Sequence, residues 1–350
     1  MKKIVLTGGG TAGHVYPALA VKERLGDDFE VHYIGGKGME KDIIAKEGDI
    51  TYHQISTVKL KRKLTLENLL LPIKLIKSVR QAKKALKEIK PDVIFSKGGF
   101  VAVPVAMAAK SLGIPLVSHE SDLSMGLANK VILRFCDVMC TTFEKTAAVS
   151  PKCVFTGQPI RKALLKGNKK HLKFFSSLDK SMPVLLVIGG SSGAKFLNEK
   201  VQENLARLCK NFNVIHITGK QNVDKIDHQR YFQVEYAENM GDYLDCADIV
   251  LSRAGSGAIN EFLTLRKPML LIPLSKRCSR GDQIENAKFF TSLGYADMLE
   301  EEDYDESIFN IKINNLYKNR QKYIENMKKS SNFDACDTIV GLLMKEISKK

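Results

Sequence analysis

A short run of β-branched residues followed directly by a glycine-rich turn and a helical pattern occurs in both halves of the 350-residue chain. In the first half Ile4–Thr7 precedes the glycines at 8–10, and in the second half Val184–Ile188 precedes the turn at 189–193. A buried strand that ends in such a turn and continues into a helix is the repeating unit of parallel α/β sheets. Since 350 residues also exceed one ordinary core, the sequence predicts an α/β protein with two Rossmann-like domains.

Further short apolar runs predict the other strands of each half. In the first half these are Glu30–Ile34, Val93–Ser96, Leu116–His119, Val138–Thr142 and Val154–Thr156, and in the second half Val214–Thr218, Gln233–Glu235, Ile249–Ser252 and Met269–Pro273. The stretch 162–173 is polar and basic, as expected of a linker. We therefore place a first domain at residues 1–161 and a second at 162–336. Residues 337–347 are apolar at helical spacing, which predicts a last helix within 337–350 that packs back on the body.

Cysteine content and apolar patterning indicate the cellular compartment of the protein and argue against a zinc site. Seven cysteines occur without a CxxC pair or histidines at zinc spacing, which predicts reduced and mostly buried thiols. The sequence contains no run of about 18 apolar residues, so it predicts no membrane-spanning helix. The first residues lead into the first predicted strand rather than into a signal peptide, and we expect the protein to remain in the cytoplasm.

Positive charge is concentrated in one segment. The formal net charge is +15, and residues 58–90 contain eleven Lys or Arg against two Glu. A helical wheel of residues 66–87 gives one apolar face that we expect to pack on the core: Leu71, Leu75, Val79, Ala82 and Leu86. It gives a second apolar face, followed by lysines and arginines: Leu66, Leu69, Ile73 and Ile76. Exposed apolar side chains beside cations are typical of a surface that binds an anionic membrane.

The first glycine-rich turn is compatible with two kinds of ligand. Gly8, Gly10 and Gly13 match the G-x-G-x-x-G pattern of dinucleotide-binding folds. That function also needs an acidic residue at the end of the second strand, and here the strand ends in Ile34-Gly35-Gly36-Lys37. The pattern therefore favours a turn whose amides face another oxygen-rich ligand. His14 follows the turn and is a candidate base or ligand-orienting group, with a structural role equally open.

Two turns in the second half indicate a phosphate ligand more strongly. Residues 189–194 repeat the strand–turn–helix order, and Ser191 adds a hydroxyl donor. Residues 253–261 follow another strand, where glycines allow the backbone to approach a phosphate and Arg253 adds positive potential. Glu261 lies about a turn and a half into the following helix. From there its carboxylate could accept hydrogen bonds from both hydroxyls of a ribose.

Taken together, these motifs resemble those of the MurG family, the undecaprenyl-diphospho-muramoylpentapeptide β-N-acetylglucosaminyltransferases, which have the GT-B fold. The match extends along nearly the whole chain, and as a set it is far more specific than any single glycine-rich turn. It consists of GGGTAGH (8–14), KPDVIFSKGGF (90–100), SLGIP (111–115), HESD (119–122), GLANK (126–130), GQPIR (157–161), GGSSGA (189–194), RAGSGAINE (253–261) and DQIENA (282–287). The resemblance implies two Rossmann-like domains that face each other across a cleft.

The resemblance also implies a UDP-GlcNAc donor site. The positions that match those holding the UDP diphosphate and uridine are Arg161, Ser191, Gly255, Ser256, Gly257, Ala258, Ile259 and Asn260. It further implies that the backbone of Ala237 lies beside the uracil, that Glu261 binds the ribose and that Gln283 contacts the GlcNAc hydroxyls. The loop that the family places near the sugar and the acceptor diphosphate is matched by Thr11, Ala12 and Gly13.

The implied reaction is an inverting transfer of GlcNAc to the muramyl 4-hydroxyl of undecaprenyl-diphospho-MurNAc-pentapeptide (lipid I), which gives lipid II for peptidoglycan synthesis. We expect no metal or cofactor, because helix N-termini and loop amides can stabilise the leaving diphosphate. His14 is the first candidate for the base, and Glu120, with Asp122 beside it, is the second. The chain has Asp122 and Phe100 where the family often has Asn and Tyr.

The resemblance and the basic segment together predict a peripheral protein on the cytoplasmic side of the cell membrane. Three alternatives remain open. A GT-B enzyme or UDP-GlcNAc epimerase with soluble substrates would not need the basic and apolar segment. A nucleic-acid-binding protein would more often place aromatic side chains among the cations, and residues 66–87 contain none. An NAD(P)-dependent oxidoreductase would need the acidic residue that the second strand lacks.

Overall fold

A computed structural model describes residues 1–57, 71–190, 193–219, 226–331 and 334–349. They form two compact units, one of residues 1–161 with the C-terminal segment and the other of residues 162–331. Each unit contains a parallel β-sheet with helices, so the predicted α/β class and the two Rossmann-like domains are confirmed. The predicted positions Leu66, Leu69 and Ser191 lie outside the described residues.

The first unit contains a seven-stranded sheet. Its strands are β1 (Lys2–Thr7), β2 (Phe29–Gly35), β3 (Thr51–Gln54), β4 (Val93–Ser96), β5 (Leu116–Glu120), β6 (Val138–Thr141) and β7 (Cys153–Phe155). They lie in the order β3-β2-β1-β4-β5-β6-β7, and every pair is parallel. The strand order reverses between β1 and β4, and the carboxyl ends of strands at such a reversal form the usual ligand site of open α/β sheets.

Helices cover both faces of this sheet. They are α1 (Ala12–Lys22), α2 (Met39–Ala45), α3 (Leu71–Ile89), α4 (Ala102–Leu112), α5 (Leu127–Ile132) and α6 (Glu144–Ala147). One apolar cluster joins α3 and α4 to the sheet through Ala82, Leu86 and Ala106, and a second joins α1 to the other face through Leu19. Because both faces are covered, the central strands bury side chains on both sides, and all four residues of β4 are buried.

The second unit repeats the arrangement with a six-stranded sheet. Its strands are β8 (Val184–Ile188), β9 (Asn213–Ile217), β10 (Tyr231–Val234), β11 (Ile249–Ser252), β12 (Met269–Leu271) and β13 (Ala296–Met298), all parallel and in the order β10-β9-β8-β11-β12-β13. Its helices are α7 (Lys162–Leu165), α8 (Lys195–Glu203), α9 (Leu205–Asn211), α10 (Met240–Cys246), α11 (Ser256–Thr264), α12 (Asp282–Ser292), α13 (Glu306–Lys318) and α14 (Arg320–Lys328). Short 3-10 helices span Lys169–His171, Phe175–Ser177 and Glu301–Asp303.

The last helix, α15 (Cys336–Ile347), belongs to the first unit. Ile339 and Leu343 are fully buried in the same apolar cluster as Val15 and Ala18 of α1. The predicted end of the second domain at residue 336 is therefore wrong by about five residues. Asp334 already accepts a hydrogen bond from the Ile160 amide (3.2 Å) and forms an ion pair with Arg24 (2.7 Å), contacts that fix this segment on the first unit.

Helix α3 has the two faces that its sequence predicts. Ala82 and Leu86 are buried, and Leu75 and Val79 pack against the same cluster. Ile73 and Ile76, by contrast, are 66% and 52% exposed. In the part of the chain that the structure describes, no helix is both long enough and apolar enough to cross a membrane.

The cysteines are all free thiols, as predicted. Cys278 is exposed, Cys153 is half-buried, and the others are buried. Burial raises the pKa of Cys140 to about 12, so this thiol stays protonated at neutral pH.

Candidate functional site

A cavity of about 500 Å³ lies at the carboxyl ends of β8, β11 and β12 in the second unit. The described residues that line it come from the turn after β8, the turn after β11 and the segment after β12; they include Gly189, Gly190, Gly193, Lys195, Arg253, Gly255, Ala258, Leu274, Cys278 and Gln283. Two of the glycine-rich turns predicted from the sequence therefore border one cavity. This is the edge at which open parallel sheets bind ligands.

The turn after β8 depends on its glycines. A methyl group at Gly189 would lie 2.5 Å from the backbone nitrogen of Ala194, which is closer than real contacts allow. Gly190 has a φ of +92°, a left-handed conformation that costs little only for glycine. The Gly193 amide donates to the Gly190 carbonyl (3.0 Å) and closes the turn just before α8. The backbone can therefore approach a ligand closely here.

A buried polar network fixes α8 behind this turn. Asn198 donates from Nδ2 to the Thr218 carbonyl (3.0 Å), which leaves its Oδ1 to accept from His216 Nε2 (3.0 Å). His216 Nδ1 then accepts from the Tyr231 hydroxyl (2.9 Å). Burial lowers the pKa of His216 to about 4, so the neutral ring that this pattern needs is the form present at neutral pH.

Helix α11 corrects the predicted set of nucleotide-binding residues. The Ile259 amide already donates to the Gly255 carbonyl (3.1 Å), so the amides that the helix N-terminus can present belong to Ser256, Gly257 and Ala258. The Ile259 side chain is completely buried. Asn260 is 1% exposed and donates from Nδ2 to the Ser256 carbonyl (2.8 Å). Ile259 and Asn260 therefore support the helix from the core and do not face a ligand.

Arg253 is not an uncompensated cation. Its guanidinium forms an ion pair with Glu301 (2.5 Å) and donates to the Ile272 carbonyl (3.1 Å), with both charged side chains largely buried. The positive potential predicted for this residue is therefore balanced by Glu301. The amide groups of the two turns and the exposed Lys195 remain as features of the cavity that can bind an anion.

The remaining predicted donor residues lie on four separate segments. Gln283, the second residue of α12, lines the cavity and accepts from the Leu274 amide through Oε1 (2.9 Å), which fixes the orientation of its side chain. Glu261 is half-buried on α11, three residues beyond Ala258, and Ala237 is buried between β10 and α10. Arg161 belongs to the first unit, where its guanidinium lies 4.1 Å above the Tyr16 ring.

In the first unit, the turn at 8–14 brings the predicted acceptor residues together. Thr11 is the residue before α1, which begins at Ala12, and its Oγ1 lies 3.0 Å from His14 Nδ1. The His14 amide donates to the Thr11 carbonyl (3.1 Å). A methyl group at Gly99, in the turn after β4, would lie 3.5 Å from the His14 ring. His14 is half-buried and Gly13 is exposed, so a ligand can approach the imidazole at the reversal of strand order.

Glu120 is buried and hydrogen-bonded within its own loop. It is 4% exposed, and its two oxygens accept hydrogen bonds from the amides of Asp122 and Gly126 (2.9 Å each) and from Asn129 Nδ2 (3.0 Å). A general base must reach the proton that it removes, and these three donors occupy the carboxylate. This geometry favours His14 over Glu120 as the base, because the Glu120 carboxylate holds the loop at 121–126.

Lys97 joins this loop to β4, a role that the sequence motifs did not reveal. Its side chain is 2% exposed, and Nζ donates to His119 Nδ1 (2.8 Å) and to the Ser121 hydroxyl. His119 donates from Nε2 to the Gly157 carbonyl (2.9 Å), so its Nδ1 is the acceptor and the ring is neutral. Burial is the largest cause that lowers the pKa of Lys97, to about 8, against opposing contributions from Glu120 and Asp122.

The lowered pKa of Lys97 predicts a specific pH dependence of stability. Below pH 8 the lysine is protonated in both the folded and the unfolded chain, and the folded state bears the full cost of the buried charge. From pH 8 to the unfolded value of about 10.4, the unfolded chain binds more protons, so the free energy of unfolding rises with pH. Relative to Lys97→Met, we expect the wild type to gain about 2 kcal/mol between pH 7.5 and pH 10.

Urea unfolding at a series of pH values would measure this gain. Lys110→Met is the control, because Lys110 is exposed on α4 and the variant should keep the wild-type pH dependence. Parallel stability curves for wild type and Lys97→Met would contradict the prediction.

Comparisons with known proteins assign both units to the same glycosyltransferase family. Residues 4–141 match the glycosyltransferase family 28 N-terminal domain, and residues 184–340 match the glycosyltransferase family 28 C-terminal domain. A protein of Clostridium tetani (strain Massachusetts / E88) is 47% identical over 356 residues, which cover 100% of this chain and 99% of the relative. A protein of Clostridium botulinum (strain Langeland / NCTC 10281 / Type F) is 47% identical over 352 residues, with 99% of both chains covered. Both relatives are named UDP-N-acetylglucosamine--N-acetylmuramyl-(pentapeptide) pyrophosphoryl-undecaprenol N-acetylglucosamine transferase.

Solved structures show the same fold. The crystal structure of Acinetobacter baumannii MurG matches with a TM-score of 0.76 and 26% identity, covering 99% of this chain and 100% of that one. The glycotransferase of kitacinnamycin matches with a TM-score of 0.77 over 98% of both chains, but at 15% identity it is evidence for the fold alone.

Proposed function

Because this chain belongs to glycosyltransferase family 28, we propose that it transfers N-acetylglucosamine from UDP-GlcNAc to the muramyl 4-hydroxyl of lipid I, with lipid II and UDP as products. The relatives that are 47% identical over the full chain have the name of this activity. The observation that supports the proposal most directly is the cavity in the second unit, which two glycine-rich turns border at the ends of parallel strands. A nucleotide diphosphate is the ligand class that such amide-lined turns bind.

We assign donor binding to this cavity. The turn after β8 and the amides of Ser256–Ala258 can donate hydrogen bonds to the diphosphate, whose negative charge grows as the bond to the sugar breaks. Fixed amides are suited to this task because they need little reorganisation during the reaction. Gln283 is oriented by the Leu274 amide at the cavity wall, where it can contact a sugar hydroxyl.

We assign acceptor activation to His14. When its Nδ1–H donates to Thr11 Oγ1, which lies 3.0 Å away, Nε2 holds the lone pair and can take the proton of the acceptor hydroxyl. The oxygen then attacks the anomeric carbon from the side opposite the diphosphate, and the C–O bond to UDP breaks with inversion. In this role Thr11 orients the imidazole, which lies beside Gly99 of the turn after β4.

A transfer assay tests the function directly. Purified protein, labelled UDP-GlcNAc and a short-chain lipid I analogue should give the disaccharide product, whereas UDP-GalNAc should give at most a few per cent of that rate. UDP-GlcNAc turnover that needs no lipid-linked acceptor would instead support an epimerase, and binding to RNA without binding to UDP would refute the enzyme.

We further propose that helix α3 binds the cytoplasmic surface of an anionic membrane, which would make the protein a peripheral membrane enzyme. Ile73 and Ile76 are exposed on the first two turns of the helix, where burial in lipid would remove apolar surface from water. Beside and beyond these isoleucines the helix presents exposed cations, which would attract anionic headgroups: Lys74, Lys77, Arg80, Lys84 and Lys87. Leu69, predicted from the sequence to belong to this surface, lies outside the described residues.

The double variant Ile73→Glu/Ile76→Glu should bind phosphatidylglycerol vesicles about 100-fold more weakly than the wild type. The estimate assumes that about 3 kcal/mol of apolar burial is lost. Vesicle sedimentation measures the binding, and turnover on the short-chain acceptor should remain at the wild-type level. Ile308→Glu/Ile311→Glu is a matched control, because these isoleucines of α13 are also exposed, at 44% and 57%. Equal vesicle binding by both double variants would place the membrane surface elsewhere.

A further inference from the structure

Glu40 is a buried carboxylate at the first glycine-rich turn, and the reaction described above gives it no role. It belongs to the first turn of α2 and is 1% exposed. Its Oε2 accepts from the Gly10 amide (3.3 Å), and its Oε1 accepts from the Gly36 amide (3.0 Å). One carboxylate therefore links the turn after β1 to the turn after β2. A buried carboxylate is costly unless it is hydrogen-bonded, so these two amide contacts are strongly favoured.

The glycines around this carboxylate leave space for it. A methyl group at Gly9 would come within 2.9 Å of the Glu40 carboxylate, and one at Gly36 within 3.0 Å of Oε1. Gly10 has a φ of +87°, which is a left-handed conformation. The backbones of the turns after β1 and β2 therefore enclose the Glu40 carboxylate.

Two tyrosines fix the same turns through their carbonyl groups. The Tyr33 hydroxyl donates to the Gly8 carbonyl (2.7 Å), and the Tyr52 hydroxyl donates to the Gly36 carbonyl (2.6 Å). Their rings are stacked with centroids 5.8 Å apart. Glu40 thus binds amide groups of the two turns, while the two tyrosine hydroxyls bind carbonyl groups of the same turns.

The turn that Glu40 holds leads directly into the proposed base. Gly10 precedes Thr11, whose carbonyl accepts the His14 amide and whose hydroxyl lies 3.0 Å from the imidazole. The carbonyl of His14 and its Cβ also pack against Gly8. A shift of Gly10 would therefore move Thr11 and change the direction of the His14 ring.

From this geometry we propose that Glu40 is a positioning residue for the transfer reaction. Its carboxylate holds the turn at 8–10 so that Thr11 and His14 face the acceptor hydroxyl. The role of His14 in this inference rests on the proposed function, whereas the hold of Glu40 on the turn does not. Glu40 touches no reacting atom, so it acts only through the backbone.

Glu40→Gln tests the proposal with little change of shape. The amide can accept from one of the two N–H groups but presents an N–H to the other, so one contact is lost. We expect kcat, normalised to the fraction of molecules that bind UDP, to fall about 100-fold, the effect of a displacement of about 1 Å at a reacting group. KM for UDP-GlcNAc should not change, because the donor cavity is in the second unit. Glu47→Gln, at an exposed glutamate after α2, should behave as the wild type.

Hydrogen exchange provides a readout that does not depend on catalysis. In Glu40→Gln, peptides that contain Gly10 or Gly36 should exchange about tenfold faster, while peptides of β8 keep their wild-type rates. Unchanged exchange would overturn the proposal, and so would a normalised kcat equal to that of the wild type. If the wild type catalyses no transfer, the proposed function fails. The hydrogen-exchange measurement still decides whether Glu40 holds the turn.

Discussion

Replacing His14 with alanine should lower kcat by about 10²–10⁴-fold, the usual contribution of a general base. The imidazole lies beside Thr11 Oγ1 at 3.0 Å and next to Gly99, at the reversal of strand order in the first sheet. Glu120, the other candidate from the sequence, is less suited to this role, because its oxygens accept three hydrogen bonds within its own loop. The assay uses labelled UDP-GlcNAc and the short-chain acceptor at saturating concentrations.

Two further measurements separate catalysis from folding in the His14 variant. The dissociation constant of UDP should be unchanged, because the cavity that we assign to the donor belongs to the other unit. His228→Ala, at an exposed histidine of the second unit, serves as the control and should keep full turnover. A His14→Ala enzyme within twofold of the wild type would exclude this histidine as the base.

Replacing Glu261 with alanine should weaken UDP binding by about 10- to 100-fold. The estimate takes 1.5–3 kcal/mol for hydrogen bonds between ribose hydroxyls and a carboxylate. Glu261 lies on α11 behind the Ser256–Ala258 amides, at the position that the family resemblance assigns to the ribose. Isothermal titration with UDP measures the change, and Glu325→Ala, at a surface glutamate of α14, is the control.

Binding of 2′-deoxy-UDP tests more directly whether Glu261 binds the ribose. The wild type should bind 2′-deoxy-UDP more weakly than UDP, whereas Glu261→Ala should bind the two with similar affinity, because the partner of the hydroxyl is gone. If the variant still discriminates between the two nucleotides as strongly as the wild type, another group must bind the ribose.

Most strands that the sequence predicted contain apolar runs, and the two strands that it missed, β3 and β13, lie at sheet edges. β3 (Thr51–Gln54) is mostly polar and its end residues are exposed, and β13 has only three residues. An edge strand packs against fewer neighbours, so its composition resembles that of a loop. The buried and exposed faces of helix α3 could be predicted because the spacing of apolar residues in an amphipathic helix shows which face is buried.

For the candidate site, the sequence located the turns but not the partners of each side chain. The glycine-rich turns at 189–193 and 253–257 could be located because a run of glycines between a strand and a helix is a local sequence pattern, and both turns border the cavity. Whether Ile259 faces a ligand or the core depends on the register of α11, and the Arg253–Glu301 ion pair joins residues 48 positions apart. The links from Glu40 to Gly10 and from Lys97 to His119 likewise connect distant segments. Such pairings leave no periodic signal in a single sequence.

The return of the C-terminal segment to the first unit has a consequence for biosynthesis. Ala335, Ile339 and Leu343 complete an apolar core whose other buried residues come from residues 4–140. During translation, the second unit has all of its strands before these residues leave the ribosome. The first unit must therefore keep an apolar face uncovered until residues 335–343 have been synthesised. A nascent chain arrested before residue 334 should consequently be a good client for chaperones that bind exposed apolar surface.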